Sequence, residues 1–305
     1  MRTYTNFFRN AVYLFVVLGL LIPVNGDSRK VALEEKFTVK PGELVSVDAA
    51  MGDVIINTWD KNEVYVKILA SERAIDKMEF SAERTSSGVR VVVKKRGSFM
   101  SRMFDWGGQD IRLEIGVPRS FNTDVSTSGG DIKLKAVNGE LKLRTSGGDV
   151  DIFSCAGDMK ISTSGGDIKV NGFKGASTAS TSGGDINIDD THGDLSVSTS
   201  GGDIAINSND GKIKASTSGG DIRLNYNGVN KGINLASTGG DIMVTVPADT
   251  KAYVKLTSTG GDIDCSLNIS KSVKISSSRF EAEVNGGGEE IRCSSTGGDV
   301  SVKAR

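Results

Sequence analysis

The sequence predicts an all-β chain: a single parallel β-solenoid, of the β-helix or β-roll kind, with about 18 residues per rung in two nonapeptide half-turns. Three observations predict it. Gly-Gly-Asp recurs with its aspartate at Asp131, Asp149, Asp167, Asp185, Asp203 and Asp221, always 18 residues apart. Weaker copies fall midway, as in Asn138-Gly139-Glu140 and His192-Gly193-Asp194, so a glycine returns every nine residues from Gly130 to Gly220. Between glycines, apolar and polar residues alternate, as in Ile132-Lys133-Leu134-Lys135, which is the period of a strand with one buried face.

Residues 1–26 read as a signal peptide. Arg2 and Arg9 precede an apolar run from Ala11 to Ile22, too short for a membrane span, and Val24 and Gly26 suit a cleavage site before Asp27. Residues 27–120 read as an irregular amino-terminal stretch and cap of the solenoid. Gly52-Asp53-Val54 and Gly108-Gln109-Asp110-Ile111 are degenerate copies of the motif there, and Met78 to Arg96 reads as a hairpin turning at Ser86-Ser87-Gly88. An end region of this kind shields exposed strand edges.

Residues 121–305 form the regular repeat. Stacked copies give inward columns: Ile132, Val150, Ile168, Ile186, Ile204, Ile222, Ile242 and Ile263 on one side, and Val125, Leu143, Ile161, Ala179, Val197 and Ala215 on the other. Each rung is expected to hold two strands and two tight corners, and the mature chain about 14 rungs stacked about 4.8 Å apart. Gly130, Gly148, Gly166, Gly184, Gly202 and Gly220 are expected to turn the corners through positive φ. The aspartates that follow are expected to accept backbone N–H groups across the bend, and Thr127, Thr145 and Thr163 to bond the backbone nearby. A hexapeptide helix is excluded, because Asn138 and Arg144 fall where it needs aliphatic residues.

The entry Val117-Pro118 followed by repeated Thr-Ser-Gly-Gly-Asp-Ile, with Gly52-Asp53-Val54 and Trp59-Asp60 upstream, resembles the bacterial "putative adhesin" family of β-strand-repeat solenoids of largely unknown function. The resemblance covers nearly all of the mature chain. It implies an envelope or surface location and brings no demonstrated activity.

The residues themselves point away from catalysis. His192 is the one histidine, beside Gly193 in a corner, where no second histidine can share a metal. No serine sits in a Gly-x-Ser-x-Gly elbow, and Gly-Gly-Asp is not a phosphate loop. No cofactor is expected. Removing Arg2 and Arg9 from 37 basic side chains leaves 35 against 38 acidic, a net charge of −3 that favours neither nucleic acid nor an anionic membrane. No integral membrane segment is expected after signal cleavage.

The expected role is a non-catalytic, exported envelope or surface module, adhesin-like, found in the periplasm, at the cell surface or secreted. The alternative is an envelope-stress or regulatory accessory protein; a weaker one is a calcium β-roll. The expected partner is an unidentified envelope protein or a glycan. The column Asp131, Asp149, Asp167, Asp185, Asp203 and Asp221 is the one candidate cation ladder, although the Gly-x-Asp element of calcium rolls is missing. Ser128, Ser146, Ser164, Ser182, Ser200 and Ser218 form an outward polar column suited to contact. Phe99, Met100, Met103, Phe104 and Trp106 form an aromatic and methionine-rich segment, read as part of the cap or as a contact patch. Cys265 and Cys293 take inward positions, as buried thiols or as a bridge.

Overall fold

Alternating sequence becomes stacked rungs. The structure is a computed structural model describing residues 29–97 and 110–305, the side chains of Ser272, Val273 and Ile275 excepted. The signal-peptide reading and the segment Phe99, Met100, Met103, Phe104 and Trp106 lie outside the described residues. Strands build nearly everything described, and most pair in parallel within one continuous ladder. A rung is named below by its corner aspartate, with a first face before the corner and a second face after it.

On the first face Val125, Leu143, Ile161, Ala179, Val197 and Ala215 pair in succession. On the second, Ile132, Val150, Ile168, Ile186, Ile204, Ile222 and Ile242 do the same. All are buried, so the two sets face each other as one core running along the axis. No rung could bury these side chains alone; each depends on its neighbours.

The side opposite the Gly-Gly-Asp corner departs from the expected single tight turn. It bends twice. The first bend places Ala136, Ser154, Gly172 and Asp190 at φ between 50° and 74°. The second falls at Gly139, Gly157, Gly175 and Gly193, with φ of 116° to 159°. Between the bends lies a short flank whose Val137, Cys155, Phe173 and Thr191 are buried. Phe173, the largest of them, comes just before the rung that carries the small inward residues Ser177 and Ala179. Volume lost on the face is thus available to the flank.

The rungs do not stack in chain order at either end. Leu44–Ala49 pairs in parallel with both Gly88–Lys95 and Asn122–Thr127. Asp53–Trp59 likewise lies between Ile111–Pro118 and Ile132–Lys135. At the other end Glu290–Ser295 lies between Ile233–Ser237 and Ala252–Ser258. Val300–Ala304 lies between Ile242–Val246 and Ile263–Cys265. Val300, not Ile263, therefore follows Ile242 in the inward column.

Antiparallel strands close both faces at the amino-terminal end and the first face at the other. Glu63–Ala70 pairs with Ile111–Pro118, and Lys30–Thr38 pairs with Glu63–Ala70. Met78–Arg84 flanks Gly88–Lys95. The helix Glu72–Lys77 joins these two edges, with the Ser71 Oγ accepting the Ala74 N–H at 3.3 Å as its cap. At the far end the hairpin Ile269–Ser276 and Arg279–Val284 lies antiparallel against Ala252–Ser258. Residues used in caps are not available for rungs. Among the described residues there are eleven parallel rungs, against the expected 14: the Gly88–Lys95 rung, then those of Asp53, Asp131, Asp149, Asp167, Asp185, Asp203, Asp221, Asp241, Asp299 and Asp262. At about 4.8 Å each they extend about 50 Å.

Candidate interaction surface

The aspartate column is a hydrogen-bonded ladder between rungs. The Asp149 N–H donates to the Asp131 carboxylate at 2.9 Å, and the pattern repeats at 2.8–2.9 Å through Asp167, Asp185, Asp203, Asp221, Asp241, Asp299 and Asp262. Asp53 starts it by accepting from the Asp131 N–H at 3.1 Å. The expected bond across each aspartate's own bend is thus a bond to the next rung. Every acceptor carboxylate meets a fixed N–H dipole, which offsets repulsion along the column.

Threonine completes the corner. The Thr163 hydroxyl donates to the Gly148 carbonyl at 3.0 Å and accepts from the Gly166 N–H at 3.3 Å; Thr145, Thr181, Thr199 and Thr217 do the same. The glycines serve a purpose other than the expected one. None of Gly130, Gly148, Gly166, Gly184, Gly202 or Gly220 has left-handed φ. A Cβ on Gly184 would stand 2.1 Å from the Gly166 carbonyl oxygen, so close approach between rungs excludes a side chain.

A groove of about 770 Å³ runs along the first face beside the second bend and crosses seven rungs. Successive rungs supply the triplets Glu140-Leu141-Lys142, Asp158-Met159-Lys160, Ala176-Ser177-Thr178, Asp194-Leu195-Ser196 and Lys212-Ile213-Lys214. Leu141, Met159, Ser177, Leu195 and Ile213 are buried, so by the pleat their neighbours stand outward as two walls. One wall begins acidic, with Glu140 and Asp158; the other begins basic, with Lys142 and Lys160. Lys142 bonds Glu140 at 2.6 Å. The middle is small and polar. Ser128, Ser146, Ser164, Ser182, Ser200 and Ser218 lie exposed at the far end of the same face, where the chain enters the Gly-Gly-Asp corner.

Other predicted positions do not assemble into a centre. His192 faces Asp210 at 3.7 Å, Asp190 at 3.9 Å and the Asn209 amide at 3.3 Å, in a polar cluster at the flank. Cys155, Cys265 and Cys293 are free thiols. Burial raises the pKa of all three, most for the fully buried Cys293. Cys265 is only half-buried. Among the described residues no three His, Cys, Asp or Glu side chains converge as metal ligands, and no helix is long and apolar enough to cross a membrane.

Trp59, part of the motif that carries the family resemblance, has an aromatic partner that the motif does not announce. Trp59 and Tyr65 point outward on the second face, opposite in parity to the buried Val54, Ile56, Val64 and Val66. Their centroids are 6.0 Å apart with planes inclined by 36°. Outward parity of two aromatics within alternating strands was the available signal.

Among solved structures, the chain is similar to a "putative adhesin" from Bacteroides fragilis, at 15% identity over 71% of this chain and 96% of that one, with a TM-score of 0.47. It is also similar to a "putative cell adhesion protein" from Clostridium sporogenes (14% identity, 90% and 100% covered, TM-score 0.22). A "putative lipid binding protein" from Parabacteroides distasonis gives 14% identity, 89% and 96% covered, and a TM-score of 0.35. These values carry no functional argument. No curated protein matches the sequence. Residues 28–303 match the model of one family across the caps and the rungs alike, and the chain accordingly belongs to the Toastrack DUF4097 family.

Proposed function

We propose that this protein is a non-catalytic, exported module of the cell envelope or surface that works by offering its solenoid faces to another molecule, in the manner of an adhesin. In this reading residues 1–26 are removed as a signal peptide, and each 18-residue rung derives from two nonapeptide halves. The observation that carries it is the groove across seven rungs, a long open surface with an acidic and a basic wall at one end and small polar side chains midway along it. Parallel pairing from strand to strand beneath it holds that surface rigid, so little ordering entropy would be lost on contact. The partner is a protein or glycan of the envelope or of a neighbouring cell.

Protease shaving of intact cells, with fractionation, tests the placement. Cleavage of the protein on whole cells is the expected result; a purely periplasmic pool would favour an envelope accessory role over adhesion. Reversing Lys160 and Lys214 to Glu should lower adhesion of cells to their surface about tenfold if the groove is the contact. Unchanged adhesion with an unchanged melting temperature would remove the groove from the reading.

A further inference from the structure

The aromatic pair on the second face is built as a platform. Three strands make it: Asp53–Trp59, Ile111–Pro118 and Glu63–Ala70, with Gly116 opposite Tyr65 in the register. Because Gly116 has no side chain, the Trp59 indole lies over it; a Cβ there would meet the ring at 3.5 Å. One face of the indole is thus on the sheet and the other turns outward. Both rings have their polar edges fixed. The Trp59 Nε1–H donates to the Glu63 carbonyl at 2.8 Å, and the Tyr65 hydroxyl donates to Glu34 Oε1 at 2.8 Å. What a ligand can meet is the outward ring faces, by displacing the flexible lysine side chains that lie over them.

Those faces now hold tethered cations. The Lys61 ammonium lies 5.1 Å from the Trp59 centroid and the Lys36 ammonium 5.7 Å from that of Tyr65. An external cation would compete with these tethered ones, and an anion would meet the negative ring faces. The surroundings are electrically balanced, with Glu34, Asp60 and Glu63 against Lys36, Lys61 and Arg119, and with Lys67 paired opposite Glu114 beyond them. A neutral ligand is favoured: one with an apolar face for the rings and hydroxyl edges for the carboxylates and ammonium groups around them. That description fits a sugar ring. We propose that Trp59 and Tyr65 form a stacking platform for a pyranose unit of a neutral glycan. The site is separate from the groove and stands or falls without it.

The chain has two tryptophans, so Trp106→Phe leaves Trp59 as the only indole and its emission as a direct reporter. Cellohexaose, chitohexaose and mannohexaose are titrated at millimolar concentration, with phosphocholine and a chondroitin hexasaccharide as charged probes. The expected result is a saturable emission shift with at least one neutral oligosaccharide and none with the charged probes. Calorimetry on the Trp59→Ala protein should then show affinity lower by about tenfold, with Trp59→Phe restoring part of it. No shift with any neutral oligosaccharide, or a shift with the charged probes alone, would overturn the proposal, and needs no substitution in the platform. Equal affinity in Trp59→Ala would overturn it as well.

Discussion

At the scale of single residues, the corner is governed by how near one rung comes to the next. Two adjacent glycines in one motif therefore have different tolerances. Gly184→Ala forces a methyl group to 2.1 Å from the Gly166 carbonyl oxygen and should destabilise by about 3 kcal/mol as the rungs are pushed apart. Gly183→Ala meets its first neighbour at 3.7 Å and should change stability by no more than about 0.5 kcal/mol. Urea melts of the two proteins provide the comparison, and equal losses would refute the close-approach explanation. Repetition marked both glycines in the sequence, but the reason for them was not legible there. Each glycine's nearest obstacle is a backbone atom one rung away, which no local pattern describes. The bend at Ala136, Ser154 and Asp190 escaped notice for a related cause. These residues carry left-handed φ without being glycine, so the nine-residue glycine spacing does not mark the bend.

Among the elements, the caps show how the solenoid ends are protected. Lys30–Thr38 is charged and irregular between Val31 and Leu33, and Ile269–Ser276 has two irregularities. Bulges and charges of this kind deter further strand pairing. The carboxyl-terminal hairpin is also held by charge. Glu281 accepts from Arg279 Nε at 2.6 Å, lies 3.6 Å from the Lys255 ammonium and meets the Tyr253 hydroxyl at 3.3 Å. Chiefly through Arg279, these partners keep the Glu281 carboxyl below its ordinary pKa. A depressed carboxylate gives stability that is present above the unfolded value of about 4.3 and is lost as pH falls below it. Amide exchange in Arg279–Val284 should therefore quicken below that pH before the central rungs respond. Glu281→Gln should show the quicker exchange at neutral pH and lose the acid dependence. Identical profiles for the two proteins would mean that the cap is held by its apolar contacts alone. The strands of this hairpin were hidden from periodicity, since the Gly-Gly-Asp spacing simply widens across them.

For the whole molecule, cohesion comes from the shared apolar core and from corner bonds in which each aspartate carboxylate accepts a backbone N–H. The melting temperature should accordingly be the same in chelator and in excess calcium; a chelator-unfolded protein would identify a metal-dependent roll instead. The central rungs were readable from sequence because each pairs with the copy 18 residues on, so the periodicity is the register. Rung order at the ends was not readable. A strand from residues 290–295 fits beside either of two similar partners by its own pattern, and only the path of the intervening chain makes it enter between both.

That entry alters how the rod responds to tension. A strand at the outer edge of a stack can be unzipped one bond after another, since only one side holds it. Val300, Ser301 and Val302 are gripped on both sides, so a pull along the strand loads two hydrogen-bonded seams in shear together. Asp53–Trp59 is clamped in the same way at the opposite end. Forced opening is a matter of rate rather than of equilibrium stability, and rupture of two seams at once is slower than sequential peeling. A rod joined to a surface and tugged by what it holds would be fastened near both ends by strands held on two sides, as the central ones are.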